Sequence, residues 1–227
     1  MPKMTTLRVF VNAAGEFGNP VGVFIDEPQS LSTEERVALT AKTGYSECIF
    51  IENIADCRIR TYTGQQEISF AGHAALGAAY HLAEIKHSKV DQLKGPDGVI
   101  AVNESDGLLW VGAELRTTPP WWHERLPDVE TLECLEGPQS ASQVHTQLWA
   151  WMNEADGIVR SRTFAPGWGI PEDEANGSGC MRLAAALGRQ LEIVHGRGSV
   201  IFARPSSPGE AEVGGRVIRD SEDIITA

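Results

Sequence analysis

At 227 residues and 42% hydrophobic, the chain can bury a core as one large domain or as two lobes of roughly 100 residues each. Its 31 acidic and 19 basic residues give a net charge of −12 with no basic run, which argues against nucleic acid or an anionic membrane as partner. The four cysteines form no Cys-x-x-Cys pair, so a structural zinc site is not expected, and free thiols in a reducing compartment are.

Leu7 to Val11 reads as a strand and Val21 to Ile25 as its partner. Turn formers fill the segment between them, from Asn12 to Pro20. Ser32-Thr-Glu-Glu35 is a capping box, and the helix it opens ends near Gly44. Cys48 to Ile54 and Cys57 to Thr63 are β-rich. Ala74 to Ile85 is a helix that is small and apolar on nearly every side, which predicts a buried, central position. Val99 to Asn103 and Leu108 to Leu115 flank Glu104-Ser-Asp-Gly107 as a hairpin. Composition then shifts: 117–145, with Pro119, Pro120, Trp121, Trp122, Pro127 and Pro138, is expected to cross between halves. Gln147 to Trp151 and Gly157 to Phe164 form a second antiparallel pair, and Cys180 to Gln190 a second buried helix. Ser199 to Arg204 and Glu212 to Ile218 supply the last strands. Short strands with one long apolar helix per half predict an α+β fold of two lobes, 1–116 and 117–227, each a curled sheet around its own helix. No secretory apolar region and no stretch of membrane-spanning length is evident, so a soluble, cytoplasmic protein is expected.

One pattern occurs twice, about a hundred residues apart. Arg58-Ile-Arg60-Thr61-Tyr62 leads to Gly72-His73 and a run of small residues; Arg160-Ser-Arg162-Thr163-Phe164 leads to Glu172-Asp173, Gly177-Ser178-Gly179 and a similar run. Each copy places glycine at the mouth of a helix, where unpaired N–H groups and the positive end of the dipole can hold an anion. Two such mouths in matching halves suggest one cleft that grips a small carboxylate; two ordinary Gly-rich turns are the plainer reading. Glu47 is a lone carboxylate at the start of an apolar strand, where burial would raise its pKa and suit it to proton transfer; a solvated strand end is the alternative. His73 can relay a proton or simply cap its helix. Asp173 and Ser178 precede or open the second helix, where such residues commonly cap. There is no metal-ligand cluster and no strand-linked Gly-x-Gly-x-x-Gly, so neither a metal nor a flavin or nicotinamide cofactor is expected.

Arg8-Val-Phe-Val, Gly18-Asn19-Pro20-Val-Gly-Val-Phe24, Tyr45-Ser46-Glu47, Phe70-Ala71-Gly72-His73, Phe164-Ala-Pro-Gly and Glu172-Asp173…Gly177-Ser178 stand in the order and spacing of the PhzF (phenazine biosynthesis-like) family. The chain resembles that family from Leu7 to Leu82 and from Arg160 onward. The resemblance implies the diaminopimelate epimerase fold, two pseudo-symmetric lobes with the site between them. It also implies a cofactor-independent isomerase that moves a proton on a small carboxylate-bearing metabolite, as a homodimer. Glu47 matches the family's acid/base, His73, Asp173 and Ser178 its supporting polar residues, and Gly72 and Gly177 its backbone donors. Glu174 stands where the family usually has proline and Asn176 where it has threonine. The stretch before Gln147 is expected to lack a strand–helix–strand portion that members carry. The paired cysteines of the epimerase relatives fall at Ala71 and Asn176, so a two-thiol racemase is disfavoured; Cys180 reads as a packed residue. The rival readings are a carboxylate-dependent amino-acid epimerase and a non-catalytic small-molecule binding protein with the same cleft.

Overall fold

The computed structural model describes residues 3–137 and 145–224. Strands β1 (Lys3–Val11) and β2 (Asn19–Ile25) pair antiparallel with Leu7 opposite Val21. Helix α1 (Thr33–Thr43) then carries the chain over to β3 (Cys48–Asn53), parallel to β2. The Ser32 hydroxyl accepts from the Glu35 N–H, the Glu35 carboxylate accepts from the Ser32 N–H, and Gly44 ends α1 at φ 71°. Buried Arg36 ties α1 to the sheet through Asp26 at 2.6 Å and Glu52 at 2.8 Å. β4 (Arg58–Tyr62) and the short β5 (Glu67–Ile68) lead into α2 (Gly72–Lys86), followed by β6 (Gln92–Gly95), β7 (Gly98–Ser105) and β8 (Leu108–Glu114). Asp106 and Gly107, at φ 56° and 70°, supply the two left-handed residues that a tight β7–β8 hairpin needs.

The order then repeats: β9 (Trp122–Arg125), α3 (Val129–Glu133), β10 (Thr146–Asn153), β11 (Ile158–Ala165), β12 (Ile170–Asp173), α4 (Gly177–Leu187), β13 (Leu191–His195), β14 (Ser199–Pro205) and β15 (Glu210–Ile224). β9 and β10 are parallel like β2 and β3, and β11 and β13 are parallel like β4 and β6. The two Arg-x-Arg-Thr-aromatic segments are therefore β4 and β11, at equivalent places in the two halves. The strands form one mixed sheet in the order β1-β2-β3-β4-β6-β7-β8-β15-β14-β13-β11-β10-β9. β15 belongs to both halves: Glu210–Gly215 pair with β8, and later residues of the strand pair with β1. The fold is α+β and dominated by its sheet, as expected.

Helix α2 packs on β1, β2, β3, β8 and β15, and α4 on β14 and β15. Residues 72–79 of α2 are all buried, which a helix tolerates when its residues are this small. No helix among the described residues is long and apolar enough to cross a membrane.

The segment expected to cross between halves and to lack a strand–helix–strand portion is different in part. It holds β9 and α3, so a strand–helix–strand portion is present in short form: β9 has 4 residues against 7 in β2, and α3 has 5 against 11 in α1. Proline at 119, 120 and 127 leaves no periodic run long enough to announce either element. Residues 138–144 of that expected crossing lie outside the described residues. The central helices also begin earlier than their apolar periodicity indicates, at Gly72 and Gly177 rather than Ala74 and Cys180. Asp173 ends β12, which pairs with β11.

Candidate active site

The two central helices start side by side. A Cβ placed on Gly72 would lie 3.8 Å from the Gly177 Cα. The N-cap of α2 is Ala71, which offers no side-chain acceptor to the first N–H groups of that helix. The N-cap of α4 is Asn176, whose Oδ1 accepts from the Gly179 N–H at 2.6 Å. Glu47, Gly72, His73, Asp173, Gly177 and Ser178 all line one cavity at this junction. It encloses about 60 Å³, less than the several hundred typical of a small-molecule site.

Glu47 stands at the entry to β3. Its Oε2 faces His73 Nε2 at 3.3 Å, out of hydrogen-bond alignment, and both atoms are buried with no hydrogen-bond partner. Burial drives the Glu47 carboxyl above its usual 4.5. Burial lowers His73 to about 4, against a smaller opposing pull from the Asp173 charge. Both shifts favour the neutral forms, so a proton entering this pair goes to Glu47 rather than to His73.

Asp173 is held by three N–H donors. Oδ1 accepts from Asn19 Nδ2 and from the Ala175 N–H, both at 3.2 Å, and Oδ2 accepts from Asn176 Nδ2 at 3.0 Å. Asn19 Nδ2 also donates to the Ala175 carbonyl at 3.2 Å. Asn19, at the start of β2, thus reaches across to the second half. In the sequence Gly18-Asn19-Pro20 shows only turn chemistry and a family motif, and the half-buried partner of Asn19 lies 154 residues away with no local signal. Asn19→Ala is expected to lower stability by about 1–3 kcal/mol, because it strips a donor from a carboxylate between the halves. Chemical denaturation measures this, and an unchanged midpoint and slope would mean that the pair does not tie the halves together.

The residues that depart from the family pattern have clear contacts. The Glu174 carboxylate accepts from Ser199 Oγ at 2.8 Å and Arg197 Nε at 3.0 Å, which anchors the loop after β12 to the start of β14. Asn176 caps α4 and holds Asp173. Ala71 and Asn176, the positions where epimerase cysteines would fall, both line the cavity, and neither carries a thiol. Cys180 is fully buried beside Gln147, and burial pushes its thiol up to about 12. A larger cavity, about 720 Å³, lies beside β11, lined in part by Arg160, Arg162, Glu172 and Glu174. All five N–H bonds of Arg160 are used on Glu133 and on the carbonyls of Ser161, Val194 and Gly196, so that guanidinium has none left for a ligand. Among the described residues no group of three or more His, Cys, Asp or Glu is placed to hold a metal ion.

The sequence model for phenazine biosynthesis-like proteins (PhzC-PhzF) matches residues 7–118. Trans-2,3-dihydro-3-hydroxyanthranilate isomerase of Pseudomonas chlororaphis is 30% identical over 237 residues, covering 82% of this chain and 84% of that protein. The chain belongs to the PhzF family. The isomerase of the same name from Pseudomonas aeruginosa is 29% identical over 243 residues, with 85% and 87% covered. A PhzC/PhzF protein of Clostridium difficile superposes with a TM-score of 0.78 over 100% of both chains at 17% identity. A probable proline racemase of Agrobacterium radiobacter has a TM-score of 0.63 at 12% identity, covering 100% of this chain and 93% of that one. At such identities these two structures speak for the fold alone. The curated PhzF relatives place the chain among the isomerases.

Proposed function

We propose that this PhzF protein moves a proton between two carbons of a small carboxylate-bearing metabolite, with Glu47 as the sole proton carrier. The observation that carries this reading is the meeting of two helix N-termini beside a half-buried carboxyl whose Oε2 has no hydrogen-bond partner. The N–H groups at Gly72 and Gly177 hold the substrate carboxylate, and Ser178 donates to it. Glu47 in its ionised form takes a proton from a substrate carbon. The electron pair of that C–H bond delocalises into the adjacent unsaturated system. Protonated Glu47, the form its burial favours, then returns the proton to a second carbon. His73 stays neutral at pH 7 and acts as a polar neighbour that does not compete for the proton. Asp173, fixed by its three donors, shapes the wall opposite.

The same reading makes the protein a homodimer of the cytoplasm, with its four cysteines as free thiols. The curated relatives make trans-2,3-dihydro-3-hydroxyanthranilate the first substrate to try. In D₂O, proton NMR should show deuterium entering the product at the carbon that receives the proton. Isomerisation with no deuterium uptake at any enzyme concentration would argue for direct transfer without exchange at Glu47. Binding with neither turnover nor exchange would favour the binding-protein reading. Exchange at the α-carbon of an amino acid, with none in the ring substrate, would favour the epimerase.

A further inference from the structure

Two tryptophans outside the family motifs form one wall of the cavity. Trp121 lies just before β9, on the connection between the halves. Trp168 ends the short 3₁₀ turn Pro166–Trp168, closed by Gly169 at φ 75°. Their rings meet edge to face with centroids 5.2 Å apart, and His145 stacks on Trp168 at 3.6 Å. Trp168 is 39% exposed, so it forms the outer part of the wall. Trp122, the next residue along, is 63% exposed and does not line the cavity.

Trp121 also has a polar connection into the site. Its indole Nε1–H donates to Ser178 Oγ at 2.9 Å. The Ser178 hydroxyl in turn reaches Asn176 Oδ1 only at 3.4 Å, whereas the Gly179 N–H donates to that oxygen at 2.6 Å. A serine hydroxyl has one proton to donate and two lone pairs to accept with. With the indole occupying an acceptor position, the proton of Ser178 is the part only weakly engaged and ready for an incoming oxygen.

We propose that Trp121 and Trp168 determine the specificity of this site: their rings select flat cyclic carboxylates over linear ones, and Trp121 positions the Ser178 hydroxyl to donate to the carboxylate. This rests on the isomerase reading for the identity of the cleft. The selection follows from shape and polarisability, since a conjugated ring stacks against an indole with specific geometry where a flexible chain must first be ordered. The positioning follows from the 2.9 Å bond and makes Trp121 a positioning residue rather than a catalytic one.

Two non-reacting probes, benzoate and hexanoate, separate ring from chain at similar size. Calorimetry on the wild-type protein should find benzoate bound at least about tenfold more tightly, the equivalent of 1.4 kcal/mol. Trp168→Ala should bring the two within about twofold. Trp121→Phe keeps a ring and loses the N–H. It should preserve the benzoate preference yet raise KM for trans-2,3-dihydro-3-hydroxyanthranilate about tenfold with kcat nearly unchanged, the signature of lost ground-state positioning. Circular dichroism and Tm report folding, and if Trp168→Ala does not fold, Trp168→Leu takes its place. An unchanged benzoate preference in the Trp168 variant would overturn the selection, and an unchanged KM in Trp121→Phe would overturn the positioning. A wild-type protein with no turnover would sink the isomerase reading instead, while the benzoate-to-hexanoate ratio would still decide the role of the wall.

Discussion

Glu47→Gln is expected to reduce kcat on the order of 10³-fold, within the range a positioned acid/base supplies, with benzoate affinity kept within about twofold. The amide has the size and much of the polarity of the carboxyl but carries no transferable proton. His73 cannot take over: with its pKa lowered to about 4 it is neutral at pH 7, and the imidazole would have to hold a proton that its burial disfavours. The same substitution has a second readout in stability. Because burial raises the Glu47 pKa, the folded state binds its proton more tightly than the unfolded state. From about the usual value of 4.5 upward to the raised value, the wild-type protein therefore loses stability as pH rises. Glutamine has no such slope, so Glu47→Gln should equal or exceed the parent in stability, with the gap widening above that pH. His73, whose lowered pKa gives a slope of opposite sign between about 4 and 6.5, lies 3.3 Å from Glu47, so the same comparison is repeated in a His73→Gln background to separate the two. Near-native kcat in Glu47→Gln would remove Glu47 from the chemistry. A variant that fell further below the parent in stability as pH rises would show that the carboxyl is not held neutral.

Much of this arrangement is legible in the sequence because its cues are local. The capping box at Ser32 and Glu35 forms as read, the hairpin at Glu104-Ser-Asp-Gly107 forms with its turn tightened to Asp106-Gly107, and Leu7 to Val11 is a strand although Phe10, at φ 69°, breaks its alternation. The doubled Arg-x-Arg-Thr-aromatic segment places Gly72 and Gly177 at equivalent points, and equivalent points of two similar halves meet in space. What could not be read depends on contacts distant in sequence. β9 is four residues whose strand character comes from pairing with Thr146–Trp149, and in β6 only Leu93 is buried, so neither has a period to detect. Asn19 and Asp173 are 154 residues apart, and Trp121 and Ser178 57. Such polar pairs are fixed by the packing of the two halves, and residue type alone does not report them.

Gly177→Val is the sharpest test of the helix junction as the seat of the carboxylate. A carboxylate at a partly buried helix N-terminus gains up to about 2 kcal/mol, so closing the approach should weaken benzoate binding by up to about 30-fold. Backbone strain is not the reason for glycine here, since Gly177 is not among the residues with positive φ. Space is: a Cβ would sit 3.2 Å from the Phe10 ring and 3.6 Å from Val213, both fully buried. The larger valine side chain therefore presses on the core, and overpacking of this kind costs typically about 1–3 kcal/mol. Gly177→Ala separates the two effects. Its single methyl needs only a small shift of Phe10, so most of the stability should survive while part of the affinity is lost. Gly72 is a poorer probe, because its Cβ would meet Val213 at 2.9 Å and the structural cost would dominate. If Gly177→Ala and Gly177→Val both fold and both bind benzoate as the parent does, the carboxylate is held elsewhere. The two helix mouths would then meet for packing alone, and the assignment of Gly72, Gly177 and Ser178 as the anion site would fall.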